Sequence, residues 1–140
     1  LARRVNDAMP AHVVDRVTAM LAGVPRPVVA LFGLAYKGDV DDLRESPALA
    51  LARLLEERGC EVRAHDPFAQ RAPLPNLTPE ACLDGADLLL VATAHSAFAE
   101  LDPEDTAALM RGRRVYDAHR LLPADRWAAA GFTVEVLGVG

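Results

Sequence analysis

VVALFGLAYKGDVDDLRESPALALARLLEERGCEVRAHDP, residues 28–67, reads as strand, loop, helix and strand in that order. Val28-Val29-Ala30-Leu31-Phe32 is an unbroken apolar run ending at Gly33. An unbroken run, as opposed to an alternating one, marks a strand covered on both faces. Residues 34–45 form a charged loop, and Ser46-Pro47 opens a helix, with Ser as N-cap and Pro where no amide partner is lost. Leu49, Leu51, Leu54 and Leu55 line that helix until Gly59, a left-handed cap. Residues 60–65 are a second strand, closed by Asp66-Pro67. Two strands joined by a helix form the repeating unit of a parallel sheet.

The same scheme continues downstream. A Pro-rich loop over 67–79 leads to a short helix at 79–84, then to the most apolar strand, 86–93. Helix at 103–110, strand at 113–117, helix at 123–130 and strand at 132–137 complete the pattern. Upstream, residues 3–21 read as a helix with Val5, Met9, Val13, Val17, Met20 and Leu21 at three- and four-residue spacing; Pro10 kinks or divides it. Gly23 to Pro27 link it to the first strand. The expected fold is α/β: a helix, then a Rossmann-like, doubly wound, parallel five-stranded sheet of order 2-1-3-4-5. Its ligand crevice should lie at the C-terminal ends of strands 1 and 3.

Bulk properties limit the function classes. A chain of 140 residues suits one domain, burying roughly two-thirds of its unfolded surface. With 51% hydrophobic and 25% charged residues and a net charge of −5, it reads as globular, and neither nucleic acid nor membrane is favoured as partner. Phosphate binding must therefore rest on a few placed cations. Cys60 and Cys82 have no metal or redox spacing, and no signal peptide or long apolar run is present, which points to the cytoplasm. The chain opens at Leu1 in helical sequence and reads as a domain of a longer polypeptide.

The first turn argues against a dinucleotide held by this domain. Gly33-Leu34-Ala35-Tyr36-Lys37-Gly38 is not G-x-G-x-x-G, and the next helix waits until Ser46. Asp66 imitates a ribose-binding acid, but Pro67 behind it favours a turn. The loop carries Lys37 and Arg44 among Asp39, Asp41, Asp42 and Glu45. On composition alone it is either a solvated loop of surface pairs or a ligand loop at the switch point. Cys60 and Cys82 read as packing thiols, His12 as solvated or capping, and Trp127 as a helix anchor. His65 and His95 fall at strand ends near the crevice, where His95 would orient a loop. A response-regulator-like domain is disfavoured because its acid cluster and phosphoacceptor aspartate are missing.

Residues 33–67 resemble the C-terminal domain of the UDP-glucose/GDP-mannose dehydrogenase family. That family shows a glycine-to-lysine loop ending aromatic-Lys, then R-E-S-P opening a helix, then a strand ending in D-P. Here these are Gly33 to Lys37, Arg44 to Pro47 and Asp66-Pro67. Val5-Asn6-Asp7 with Pro10 resembles the end of the family's long central helix, and Ala94 to Phe98 its turn after strand 3. DVDDLRESPAL looks closest to the UDP-N-acetylmannosamine and related UDP-N-acetylhexosamine dehydrogenases.

The resemblance implies residues 1–24 as the end of an inter-domain and dimerisation helix, and 25–140 as the UDP-sugar-binding domain. It implies Tyr36 and Lys37 on the UDP diphosphate, and Arg44 reaching NAD bound by an N-terminal domain of the same chain. It further implies a homodimer or higher homo-oligomer and NAD-dependent oxidation of a sugar C6 alcohol to the carboxylate, as in polysaccharide biosynthesis. The catalytic cysteine motif of the family is not among these residues, so the chain by itself is expected to be inactive. A stand-alone nucleotide-binding or regulatory module of the same fold is the alternative. One departure concerns the D-x-R after strand 4: the segment is Asp117-Ala118-His119-Arg120, so this substrate contact falls to His119 or to Arg120. The apolar stripe of the first helix is expected to be only partly buried by its own domain, with partners beyond it.

Overall fold

A computed structural model describes residues 2–34, 47–68 and 74–137, with side chains in the first helix from Pro10 onward. The elements are α1 (Ala2–Met20), β1 (Val28–Phe32), α2 (Pro47–Glu57), β2 (Glu61–His65), α3 (Pro79–Leu83), β3 (Leu88–Val91), α4 (Pro103–Leu109), β4 (Arg114–Asp117), α5 (Ala124–Ala129) and β5 (Thr133–Val136). A 3-10 turn, Ser96–Glu100, follows β3 where the turn at Ala94 to Phe98 was expected. The five strands form one parallel sheet of order β2-β1-β3-β4-β5, the order expected from the sequence.

The apolar run of β1 is explained by its central place. Phe32 pairs with His65 on one side and Val91 on the other, and all five residues of the strand are buried. Val29 and Leu31 face the layer holding Val17, Leu51 and Leu55, whereas Val28, Ala30 and Phe32 face Leu83, Trp127 and Phe132. β3 divides in the same way, Leu88 and Leu90 to one layer, Leu89 and Val91 to the other. Each face is thus dry, which is why neither strand alternates polar and apolar residues.

Of the two alternatives at Pro10, division is excluded: one helix runs through that residue. In the half whose side chains are described, the stripe is covered by its own domain more fully than expected, with Val13, Val17 and Leu21 buried in the core and Met20 half-buried. The reason is packing. α1 lies along α2, as the ion pair of Arg58 with Asp15 at 2.9 Å also shows, and the two helices roof one face of the sheet. No helix among the described residues is long and apolar enough to cross a membrane.

Trp127 is fully buried, edge-on to Phe132 at 4.9 Å, and its indole N–H has no hydrogen-bond partner among the described residues. It anchors α5 by packing alone.

Candidate functional site at the C-terminal edge of the sheet

The chain leaves β1 for α2 and β2 on one side, then returns across to β3 on the other. The switch point therefore sits at the C-terminal ends of β1 and β3. Gly33 makes it possible. Its φ is +107°, and a Cβ there would fall 2.5 Å from Cβ of Thr93 and 2.7 Å from the Thr93 amide nitrogen. Only glycine can turn in that direction with the next strand's exit so close.

Asp66 ties the exits together. Its Oδ2 accepts the Leu34 N–H at 2.6 Å and lies 2.7 Å from His95 Nε2; its Oδ1 accepts the Phe68 N–H at 2.7 Å. The last of these is the turn expected of Asp-Pro; the first two were not foreseen. Asn76 clamps the same residue through its backbone, accepting from Asp66 N at 2.9 Å and donating to Asp66 O at 2.8 Å. Asp66 and His95 side chains are both 0% exposed. The His95 ring meets Phe98 edge-on at 5.3 Å and Phe68 at 4.9 Å, and Phe32 stands 5.2 Å from Phe98. His65, the other strand-end histidine, bonds the Leu77 carbonyl through Nδ1 at 2.8 Å.

The exit of β4 completes the edge. Buried Asp117 accepts the His119 N–H at 3.0 Å with one oxygen and the Leu122 N–H at 2.8 Å with the other. His119 Nε2 lies 2.9 Å from the Ala92 carbonyl. A carbonyl only accepts, so Nε2 carries the hydrogen, and a neutral ring then presents Nδ1 as an acceptor. This chemistry suits a ligand hydroxyl or N–H, and a neutral ring cannot replace a guanidinium fork on phosphate. Arg120, exposed and with φ at +53°, is the cation beside it. His119 and Arg120 are thus at the edge where the sequence put them. Tyr36, Lys37 and Arg44, like the Ser46 cap, lie outside the described residues.

Other sequence candidates are structural. His12 is exposed on α1. Cys60 and Cys82 are buried; burial raises both thiols, that of Cys82 up to about 12. Among the described residues no cluster of three metal-binding side chains occurs. A shallow depression of about 410 Å³ opens at the opposite edge, lined in part by Asp87, Arg111, Arg113 and Arg114. There Arg111 pairs with Asp87 through two hydrogen bonds, 2.8 and 2.6 Å, and Arg113 donates to the Met110 and Gly112 carbonyls. Nothing in the sequence marked Asp87, because its partners Val28 and Arg111 are distant in the chain.

Comparison with known proteins converges on one group. The model of the UDP-glucose/GDP-mannose dehydrogenase family, UDP binding domain, matches residues 30–124. A UDP-N-acetyl-D-mannosamine dehydrogenase of Methanococcus maripaludis is 36% identical over 144 residues, covering 99% of this chain and 34% of that protein. The structure of a UDP-D-ManNAc dehydrogenase from Pyrococcus horikoshii superposes with a TM-score of 0.84 at 30% identity, over 98% of this chain and 32% of that one. The structure of an NDP-N-acetyl-D-galactosaminuronic acid dehydrogenase from Methanosarcina mazei does so with a TM-score of 0.90 at 28% identity, over 99% and 31%. The chain spans about a third of the length of these relatives.

Proposed function

The chain belongs to the UDP-glucose/GDP-mannose dehydrogenase family, and from that premise we propose that residues 25–140 bind the UDP-sugar of a cytoplasmic, NAD-dependent nucleotide-sugar 6-dehydrogenase. The observation that carries this reading is the motif loop itself. The Gly33 to Lys37 segment and the R-E-S-P segment bracket a loop that leaves the central strand at the switch point, within the matched residues. The substrate class follows the relatives: a UDP-N-acetylhexosamine, UDP-N-acetylmannosamine before others.

The roles divide by chemistry. Lys37, a compact cation, faces the diphosphate, with Tyr36 beside it. Arg44 reaches the neighbouring NAD, and His119 offers an acceptor to a substrate hydroxyl or N–H while Arg120 supplies the positive charge. The domain's own residues do not fit NAD as its main site. The sequence after β1 carries no G-x-G-x-x-G, the pattern that a pyrophosphate-cradling turn needs. The dinucleotide and the catalytic cysteine belong to the N-terminal part of a longer chain, and oxidation of the C6 alcohol to the carboxylate takes place there. Residues 1–24 end the helix that joins the two parts and pairs the subunits of a homo-oligomer. The buried stripe after Pro10 fastens that helix to this domain.

Calorimetric titration of the full-length protein tests the division. Lys37→Ala should weaken UDP-sugar binding by about 1.5–3 kcal/mol, the worth of one hydrogen bond to a charged group, and leave NAD unchanged. Arg44→Ala should mainly weaken NAD. Unchanged UDP-sugar affinity in Lys37→Ala would return the loop to a solvated surface. A complete gene no longer than this chain would favour the stand-alone module instead.

A further inference from the structure

We propose that Asp66 and His95 are positioning residues of the nucleotide-sugar site, together setting the direction in which the chain leaves β1 toward its ligand loop. This rests on the UDP-sugar reading above and deepens it.

Sheet order places the pair. β2 and β3 flank β1, so the residue after β2 and the segment after β3 meet above the end of the central strand. There Asp66 Oδ2 takes two partners at once, the Leu34 N–H at 2.6 Å and His95 Nε2 at 2.7 Å. Gly33 supplies the turn, but a glycine turn leaves the next peptide plane free to rotate. The carboxylate removes that freedom, because the Leu34 N–H must point at Oδ2. The carboxylate is in turn held from every side. Phe68 N–H takes Oδ1, Asn76 grips the backbone in both directions, and His95 is wedged between Phe98 and Phe68.

Stability alone is a poor reason for this arrangement. Two polar side chains at 0% exposure cost desolvation, and a well-packed apolar pair of similar volume is often as stable. What a hydrogen-bonded pair supplies and an apolar pair does not is a fixed direction for one N–H. Cations of a ligand loop bind more tightly when the loop's root is ordered beforehand, since less freedom is lost on binding. His95 acts through Asp66: it occupies the second lone pair of Oδ2 and keeps that oxygen over Leu34.

The test compares His95→Leu and His95→Gln in the full-length protein, reading UDP affinity by calorimetry, KM and kcat for the UDP-sugar, and urea midpoints. His95→Leu should weaken UDP about 10-fold and raise KM similarly, while kcat at saturation and NAD affinity stay within about 2-fold. Glutamine, whose amide donates to Oδ2, should restore UDP affinity to within about 3-fold of the unaltered protein. A merely structural role would shift the urea midpoint alone. Folded His95→Leu with UDP affinity within about 2-fold of the unaltered protein overturns the proposal. Where His95→Leu does not fold, Asp66→Leu decides by the same criterion, because its side chain is of similar size and accepts from neither Leu34 nor His95. If the unaltered protein binds no UDP, the UDP-sugar reading fails first and takes this proposal with it, a result distinct from a variant that binds normally.

Discussion

Replacing Asp87 by alanine should destabilise the chain through one orphaned amide more than through a lost ion pair. Asp87 is 3% exposed and stands at the N-terminal edge of the sheet, before β3. Its Oδ2 accepts the Val28 N–H at 2.8 Å, at the first residue of β1, and its carboxylate takes Arg111 in a two-pronged pair. Val28 is itself 8% exposed, so water does not readily replace the lost oxygen, and an unsatisfied buried amide costs about 1–3 kcal/mol. The Arg111 side chain is 60% exposed and returns to water freely; a pair of that kind is worth about 0.2–1 kcal/mol. Together these give about 1–4 kcal/mol for Asp87→Ala. Asp87→Asn keeps an oxygen for Val28 and should recover more than half of the loss. Urea unfolding at pH 7 with a common slope measures both variants. If asparagine is as damaging as alanine, the charge and not the amide carries the effect, and the reasoning fails.

Further outcomes can be checked on the same protein. The Arg111 hydrogen bond holds the Asp87 carboxyl below its ordinary range, with the Val28 N–H adding to it. Its contribution is therefore complete above the unfolded value of about 3.9 and is lost as pH falls through the lower folded value. The stability gap between the unaltered chain and Asp87→Asn should close in that window, and a constant gap from pH 7 to 2.5 would contradict the pairing. Gly33→Ala, with φ at +107° and a Cβ 2.5 Å from Thr93, should cost about 2–5 kcal/mol from backbone strain and overlap together, measured by urea midpoint. With Cys82 pushed up to about 12 and Cys60 also raised by burial, neither thiol should react with a disulfide reagent at pH 8 until urea unfolds the chain; rapid labelling of folded protein would refute their burial.

Sequence alone determined the architecture, and the reason lies in its local periodicities. An unbroken Val28–Phe32 run and the Leu88–Val91 core of the third strand have no stable place except the middle of a sheet covered on both sides. Their alternation with helices leaves a doubly wound sheet as the consistent solution. The motif residues were also legible, because the Gly33 to Lys37 and R-E-S-P segments are contiguous in the chain. Boundaries moved by a residue or two at strand ends, where hydrogen bonding and not composition decides where a ladder stops.

Tertiary structure decided whatever depends on two distant segments meeting. The stripe of α1 was expected to find partners beyond the domain, yet its Val13, Val17 and Leu21 are buried within the domain, since amphipathicity says that a face is covered and not by what. Asp66 read as a turn former and does form the turn. Its second role, joining Leu34 to His95, exists only because the order β2-β1-β3 carries two strand exits to either side of a third. Asp87 had no signal at all, because its hydrogen bonds run to Val28 and Arg111, far apart in the chain. Local pattern specifies which residues must be dry, whereas a buried carboxylate finds its partners only after the strands have taken their places.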